Sequence, residues 1–392
     1  MKTFLYAGSW SFIFAGKGLW LYDFNEATGE ITPLKRITDE ISVGYTFVDQ
    51  ERGILYCVDE VDKLPEFRSG GGGRVFSYRI DPQTGDLAEI CRRNTYAALP
   101  AMPAIDSSGA YLLVANYGST LNPITKSVQD RDGRYRIITE YTDSTTALFP
   151  LADGAIGEPC DIFKHFGSGP NWNQECPHPH CIVKAPSCDL FVVCDKGADN
   201  VWLFRLDRKT RKLVVCEPYK MPPGTAPRYC VFHPSLPYLF VNNEAVSDVC
   251  SFTYDAQGCL TLIGSCRAIP EDWHGLIPAQ GHLEQQDIRI HPSGKYVYGL
   301  IRGASKSESG FEAVAVFAVG EETGELVRRQ VFKLNSLWPR GCVVSPDGHF
   351  LVVQCMQGGK LVVLSIGADG LLSETGFEAE QKAVSNAAFY RA

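Results

Sequence analysis

One short pattern recurs along this chain and limits its possible folds more than any other feature. It is an apolar strand, a tight turn rich in Pro, Ser, Asp or Gly, and a second apolar strand. Copies run over 46–58 around Gly53, 104–116 around Gly109 and 182–195 around Pro186. Further copies run over 231–243 around Pro234, 288–301 around Pro292 and 343–355 around Pro346. An alternating strand that ends in a turn lies over 19–24, 75–81, 201–207, 249–255, 314–319 and 361–366, with a degenerate copy expected within 134–152. Alternation with period two marks strands, and no segment of helical period interrupts the series.

Repeated supersecondary units bury a continuous core only by stacking on their neighbours. Six complete units, and one that opens at residue 3 without an inner strand, predict seven units of roughly 56 residues over the 392 of the chain. The missing strand is expected from the C-terminal segment 383–389. The expected fold is therefore all-β: a seven-bladed β-propeller, one domain over 1–392, closed by N- and C-terminal strands so that no sheet edge is left open. Insertions at 117–147 and 267–287 are expected on the binding face.

Composition narrows the partners. No apolar run reaches the ~18 residues of a membrane span. The N-terminal segment reads as a strand and not as a signal peptide, because Gly8, Ser9, Trp10 and Ser11 interrupt it. A net charge of −8 argues against a nucleic-acid or anionic-membrane partner. The chain has 14 cysteines and no C-x-x-C. Cys57, Cys194, Cys230, Cys250 and Cys342 fall inside apolar strands, where free cysteine serves as a small core residue, so a reducing cytoplasm is expected.

The segment 167–180 holds Trp172, His178 and His180 among three prolines. Proline fixes φ and stiffens the chain, which suits a base that must be held in place. Counting from each hairpin turn places this loop in the repeat. Six residues before the turn proline or its equivalent lie Gly44, Ala101, His180, Arg228, Gln286 and Arg340; ten after it lie Glu60, Tyr117, Lys196, Glu244, Arg302 and Met356. These positions are nearly symmetric about the turn, so they are expected to oppose each other across the hairpin. Both sets should ring one mouth of the central channel. The first two blades add little to it. The other side is polar and cationic, and fits a small anionic lactone or a carboxylate.

Several motifs then resemble a known family. Gly167 to Asn171 with Gln174 and Pro177 to His180 is one; Ala226 to Arg228, His233–Pro234 and Asn243–Glu244 are others; Pro339 to Gly341 and Ser345 to Gly348 complete the set. Together they resemble the seven-bladed lactonase family, which includes propeller-type bacterial 6-phosphogluconolactonases and fungal carboxymuconate lactonising enzymes. The resemblance covers essentially the whole chain and is strongest over 160–255. It implies a catalytic group of His180, Arg228, Glu244 and Arg302, which agrees with the ring positions counted from the turns. Departures from the family pattern are Pro179 between the histidines, Leu300–Ile301 before Arg302, and Gln354 to Met356 late in the sixth repeat.

The chemistry these residues offer is lactone opening. Arginine presents a fixed fork for a carboxylate, a phosphate or a developing alkoxide, and His180 titrates near neutrality. Glu244 either holds Arg228 or acts as the base itself. His178, Lys196, Gln286 and Arg340 are assigned to substrate binding, with Lys196 read as a solvated rim residue and His178 as a supporting partner. No cofactor is expected. A metal is not expected either: His165, His178, His180, His274 and His282 lack ligand spacing, and a cationic ring opposes a hard cation. Gly70 to Gly73 reads as a hairpin tip. The reaction is read as hydrolysis of a sugar lactone such as 6-phosphogluconolactone. Muconate-type lactonisation is one alternative. A non-enzymatic scaffold that binds protein through rim aromatics such as Trp172, Trp273 and Trp338 is the other.

Overall fold

The computed structural model describes residues 2–11, 15–270, 283–303 and 311–392. Trp273, His274, His282 and most of the second expected insertion lie outside them.

Seven antiparallel sheets are built from the repeats, each ordered from an inner to an outer strand. We number the blades by their inner strands: Val43–Asp49, Pro100–Ile105, Pro179–Lys184, Pro227–Phe232, Leu283–Ile290, Pro339–Val344 and, for blade 7, Val384–Arg391. Each inner strand contacts the next and the seventh contacts the first, which closes the ring. In blade 7 the C-terminal strand pairs with Thr3–Ser9, with Leu5 opposite Phe389. Closure by strands from both ends is as expected. The degenerate copy is Thr145–Ala152, the third strand of blade 2. The insertion before it forms a separate hairpin, Ile124–Gln129 with Tyr135–Glu140.

Alternation along the strands sends apolar side chains into the layers between blades. Phe191, Phe204, Phe240 and Phe252 are fully buried there, each contributing about 1.5–3 kcal/mol. The channel itself is filled. Tyr45 of blade 1 stacks on Tyr229 of blade 4 at 6.3 Å. Those blades are not neighbours, so this contact crosses the axis. Arg289 sits over both rings at 5.9 and 6.0 Å and pairs with Asp287 at 2.9 Å.

The register corrects one expectation. The two counted positions do not oppose each other. In six inner strands one residue is skipped by the ladder: Gly44, Ala101, His180, Arg228, Arg340 and Ser385. In blade 5 the strand skips Gln286 and Asp287. Each is a β-bulge, which frees a side chain from the alternation and re-aims it. Proline opens the strand just before the bulge in blades 2, 3, 4 and 6, at the first position, where a missing N–H is tolerated. Pro179 thus repeats this chain's own local rule.

Candidate active site

The bulges fix the geometry of the mouth. Beyond each one the hairpin continues by one bond, from the second counted residue to the carbonyl two positions before the bulge. Glu60 N–H donates to Ser42 at 2.8 Å, Tyr117 to Leu99 at 2.9 Å and Lys196 to His178 at 3.1 Å. Glu244 donates to Ala226 at 2.8 Å and Met356 to Trp338 at 3.1 Å. Trp10 donates to Ala383 at 3.0 Å, and is therefore blade 7's member of the ring. Counting missed it because this hairpin is made from the two ends of the chain and has no turn. The accepting residues Leu99, Ala226, Trp338 and Ala383 have φ of 54° or 55°. That strain is unusual for non-glycine residues and clusters where chains are bent to a purpose.

These anchors gather the charged groups. Glu244 is held from both sides: Oε1 accepts from Lys196 Nζ at 2.6 Å, and Oε2 lies 2.7 Å from Arg228 Nε, with the N–H turned off the line of contact. Arg228 also donates to the Gln286 carbonyl. With both oxygens engaged, Glu244 positions Arg228 and Lys196. Lys196 is not a solvated rim residue. It is 6% exposed, drawn inward by Glu244 and by the Tyr117 ring at 5.8 Å. Burial pulls its pKa down, but Glu244 and Tyr117 outweigh burial and raise it, so the ammonium is kept.

Arg302 was expected opposite Gln286. Its partner across the hairpin is Glu284, two positions before Gln286, the same offset that the bulges impose in the other blades. Glu284 Oε2 accepts from Arg302 Nη2 at 3.0 Å and from Gln286 Nε2 at 2.9 Å. Arg302 stacks on Trp338 at 3.8 Å, and Arg340 on Trp10 at 3.9 Å. Trp338 is therefore no rim aromatic: it is 4% exposed and packs with Trp10 and Met356. Burial draws Arg302 down to about 10, still protonated at neutral pH. Arg302 Nη1 and Gln286 Oε1 are buried with no hydrogen-bond partner among the described residues.

His180 projects from the blade 3 bulge between Tyr117 at 5.5 Å and Tyr229 at 5.1 Å. Burial, then Arg228, Arg340 and Lys196, hold it well below the usual imidazole value. It is therefore neutral at physiological pH, and its buried Nδ1 has no hydrogen-bond partner among the described residues. His178 supports it: its ring stacks on Tyr117 at 4.1 Å, and its backbone N–H donates to Asp195 Oδ1 at 2.7 Å. Burial lowers its pKa too. Blade 1 adds more than expected. Glu60 accepts from Arg340 Nη2 at 3.2 Å, a contact that spans blade 7.

Spacing also hid a group of thiols. Cys181, Cys194 and Cys230 lie within 4.8 Å of one another. All are fully buried in the apolar core, and Cys181 and Cys230 share a weak S–H···S hydrogen bond at 3.9 Å.

Residues 4–389 match the family described as "Lactonase, 7-bladed beta-propeller". A 6-phosphogluconolactonase of Bacillus subtilis is 26% identical over 321 residues, covering 81% of this chain and 78% of the relative. One from Formosa agariphila is 24% identical over 364 residues, covering 92% and 91%. Among solved structures, the periplasmic gluconolactonase of Pseudomonas aeruginosa superposes with a TM-score of 0.84 at 23% identity, covering 100% of this chain and 99% of that one. Fold, closure and family match agree: the chain belongs to the seven-bladed β-propeller lactonase family.

Proposed function

We propose that this protein hydrolyses a sugar lactone that carries an anionic group, 6-phosphogluconolactone being the first candidate. One observation carries the reading: a neutral His180 is surrounded by the cations Lys196 of its own blade, Arg228 of the next and Arg340 of blade 6. A neutral imidazole can take a proton from water. Fixed guanidinium groups can hold the oxyanion that forms when the water oxygen adds to the carbonyl carbon. His180 is the base. Arg228 and Arg302 stabilise the oxyanion, and Glu244 holds Arg228 in place. Arg340, Gln286 and Lys196 bind the anionic group, with His178 supporting the wall. The lactonase names of the relatives favour hydrolysis over lactonisation, and the burial of Trp338 weakens the scaffold reading. All 14 cysteines are free, which supports a reducing compartment.

The test is a pH-stat panel of 6-phosphogluconolactone, glucono-δ-lactone and a muconolactone. Acid release from the phosphorylated sugar lactone, with kcat/KM well above that for the neutral sugar, is expected. A folded protein that opened none of the three would overturn the proposal.

A further inference from the structure

The geometry points to a second group in the chemistry: we propose that Glu60 is the acid that protonates the ring oxygen as the lactone opens. This rests on the hydrolase reading above.

Glu60 belongs to blade 1, across the ring from Arg228 on blade 4. Its carboxyl group lies directly over Gly44, the blade 1 bulge. A Cβ there would come within 1.8 Å of Glu60 Oε2 and 2.8 Å of its Cβ. Gly44 has no left-handed φ to require glycine, so the space for Glu60 is what the missing side chain provides. Arg340 of blade 6 holds the carboxyl through one hydrogen bond, not a bidentate fork. Trp10 of blade 7 backs Arg340. One carboxyl oxygen is pinned in this way, and the other can carry a proton.

The charges that face Glu60 are Arg340 and, farther off, Arg228. Its neighbour Asp59 is turned away, accepting Ser42 N–H at 2.7 Å. Burial prevails over both cations and pushes Glu60 up to about 7. The same pocket pushes His180 the other way. Two titratable groups whose environments drive their pKa values apart identify a base and an acid. Between those values His180 is unprotonated and Glu60 holds its proton.

The step balances. Water gives one proton to His180, and its oxygen adds to the carbonyl carbon, whose π pair moves onto the carbonyl oxygen. When the carbonyl re-forms, the ring C–O bond breaks and its electron pair takes the proton of Glu60. The product is a hydroxy acid. Protonated His180 and ionised Glu60 are reset by proton exchange with solvent.

The experiment is the pH profile of kcat/KM on an alkyl lactone, for wild type, Glu60→Gln and Gly44→Ala, with melting temperatures as the folding control. Dihydrocoumarin serves as a second substrate, because its phenolate leaves without protonation. Wild type should lose activity as pH rises through about 7, where Glu60 gives up its proton. On the alkyl lactone Glu60→Gln should be about a hundredfold slower or worse, and should lose that alkaline limb. On dihydrocoumarin it should be nearly unimpaired. Gly44→Ala, which displaces the carboxyl, should reproduce the pattern. If Glu60→Gln kept the alkaline limb, or slowed both lactones equally, the acid role would be overturned while the hydrolase reading stood. A wild type inert on every lactone would overturn the reading, and the acid role with it.

Discussion

At the scale of single residues, the mouth shows how burial and counter-charge set opposite demands. Glu244 has a cation on each oxygen, so removing it leaves two buried charges uncompensated. Breaking one such buried pair typically costs about 3–5 kcal/mol. Glu244→Ala is therefore a poor probe of chemistry, and Arg228 and His180 are better ones. Arg228→Lys keeps the charge but loses the planar fork that spans Glu244 and the Gln286 carbonyl. We expect kcat/KM to fall by about 10²–10³, the usual loss when a preorganised donor is removed. His180→Ala should lower kcat more than it raises KM, because it removes proton transfer and leaves the arginines in place. If both folded variants kept near wild-type kcat/KM, this cluster would not be the reaction centre.

At the scale of elements, the hairpins and their periodicity were open to reading from the chain. Period-two alternation survives any exchange of one apolar residue for another, and a Pro or a Gly stands in each of the six turns. The bulges were not readable. A residue skipped near the end of a strand leaves the apolar pattern intact farther in, so counting found His180, Arg228 and Arg340 but assigned them the wrong partners. Glu284 was lost to the register shift that every bulge makes, and Trp10 to the missing turn of blade 7. The burial of Lys196 and Trp338 depends on charges and rings brought in by other blades, which no local pattern records. The inserted hairpin in blade 2 is a different case. It pairs only with itself, and Tyr135 and Ile137 are 77% and 73% exposed. Its base is already closed, since Ser119 N–H donates to Thr142 Oγ1. Replacing 121–141 by a short Gly-Ser link should leave the melting temperature within a few degrees of wild type. A large drop would show that the hairpin supports the ring.

At the scale of the whole molecule, the ring depends on its seam. Val384–Arg391 supplies the inner strand of blade 7, and Asn386 Oδ1 reaches blade 1 by accepting from Thr46 N–H and Oγ1 at 2.9 and 2.8 Å. We propose that 1–392 behaves as one domain. Deleting 384–392 should then unfold or aggregate the whole chain, because it exposes the edge of Thr3–Ser9 and opens the ring. Calorimetry and size-exclusion chromatography would read this. A truncated protein that stayed monomeric with an unchanged melting curve would show that the seam is dispensable. The seven-fold repeat announced this closure in advance, since six hairpins and an orphan strand leave few other ways to bury every edge.

The bulges have one more consequence. A residue that takes no part in the ladder adds little to the register of its sheet, so the backbone accepts side chains of many kinds there, provided the neighbours leave them space and counter-charge. In this chain the skipped positions already hold serine, glycine, alanine, histidine, arginine, glutamine and aspartate. The mouth is in effect a keyboard of seven sites on an indifferent frame. Such a protein can acquire a new substrate by changing a few of its keys, while the frame that carries them stays as it was.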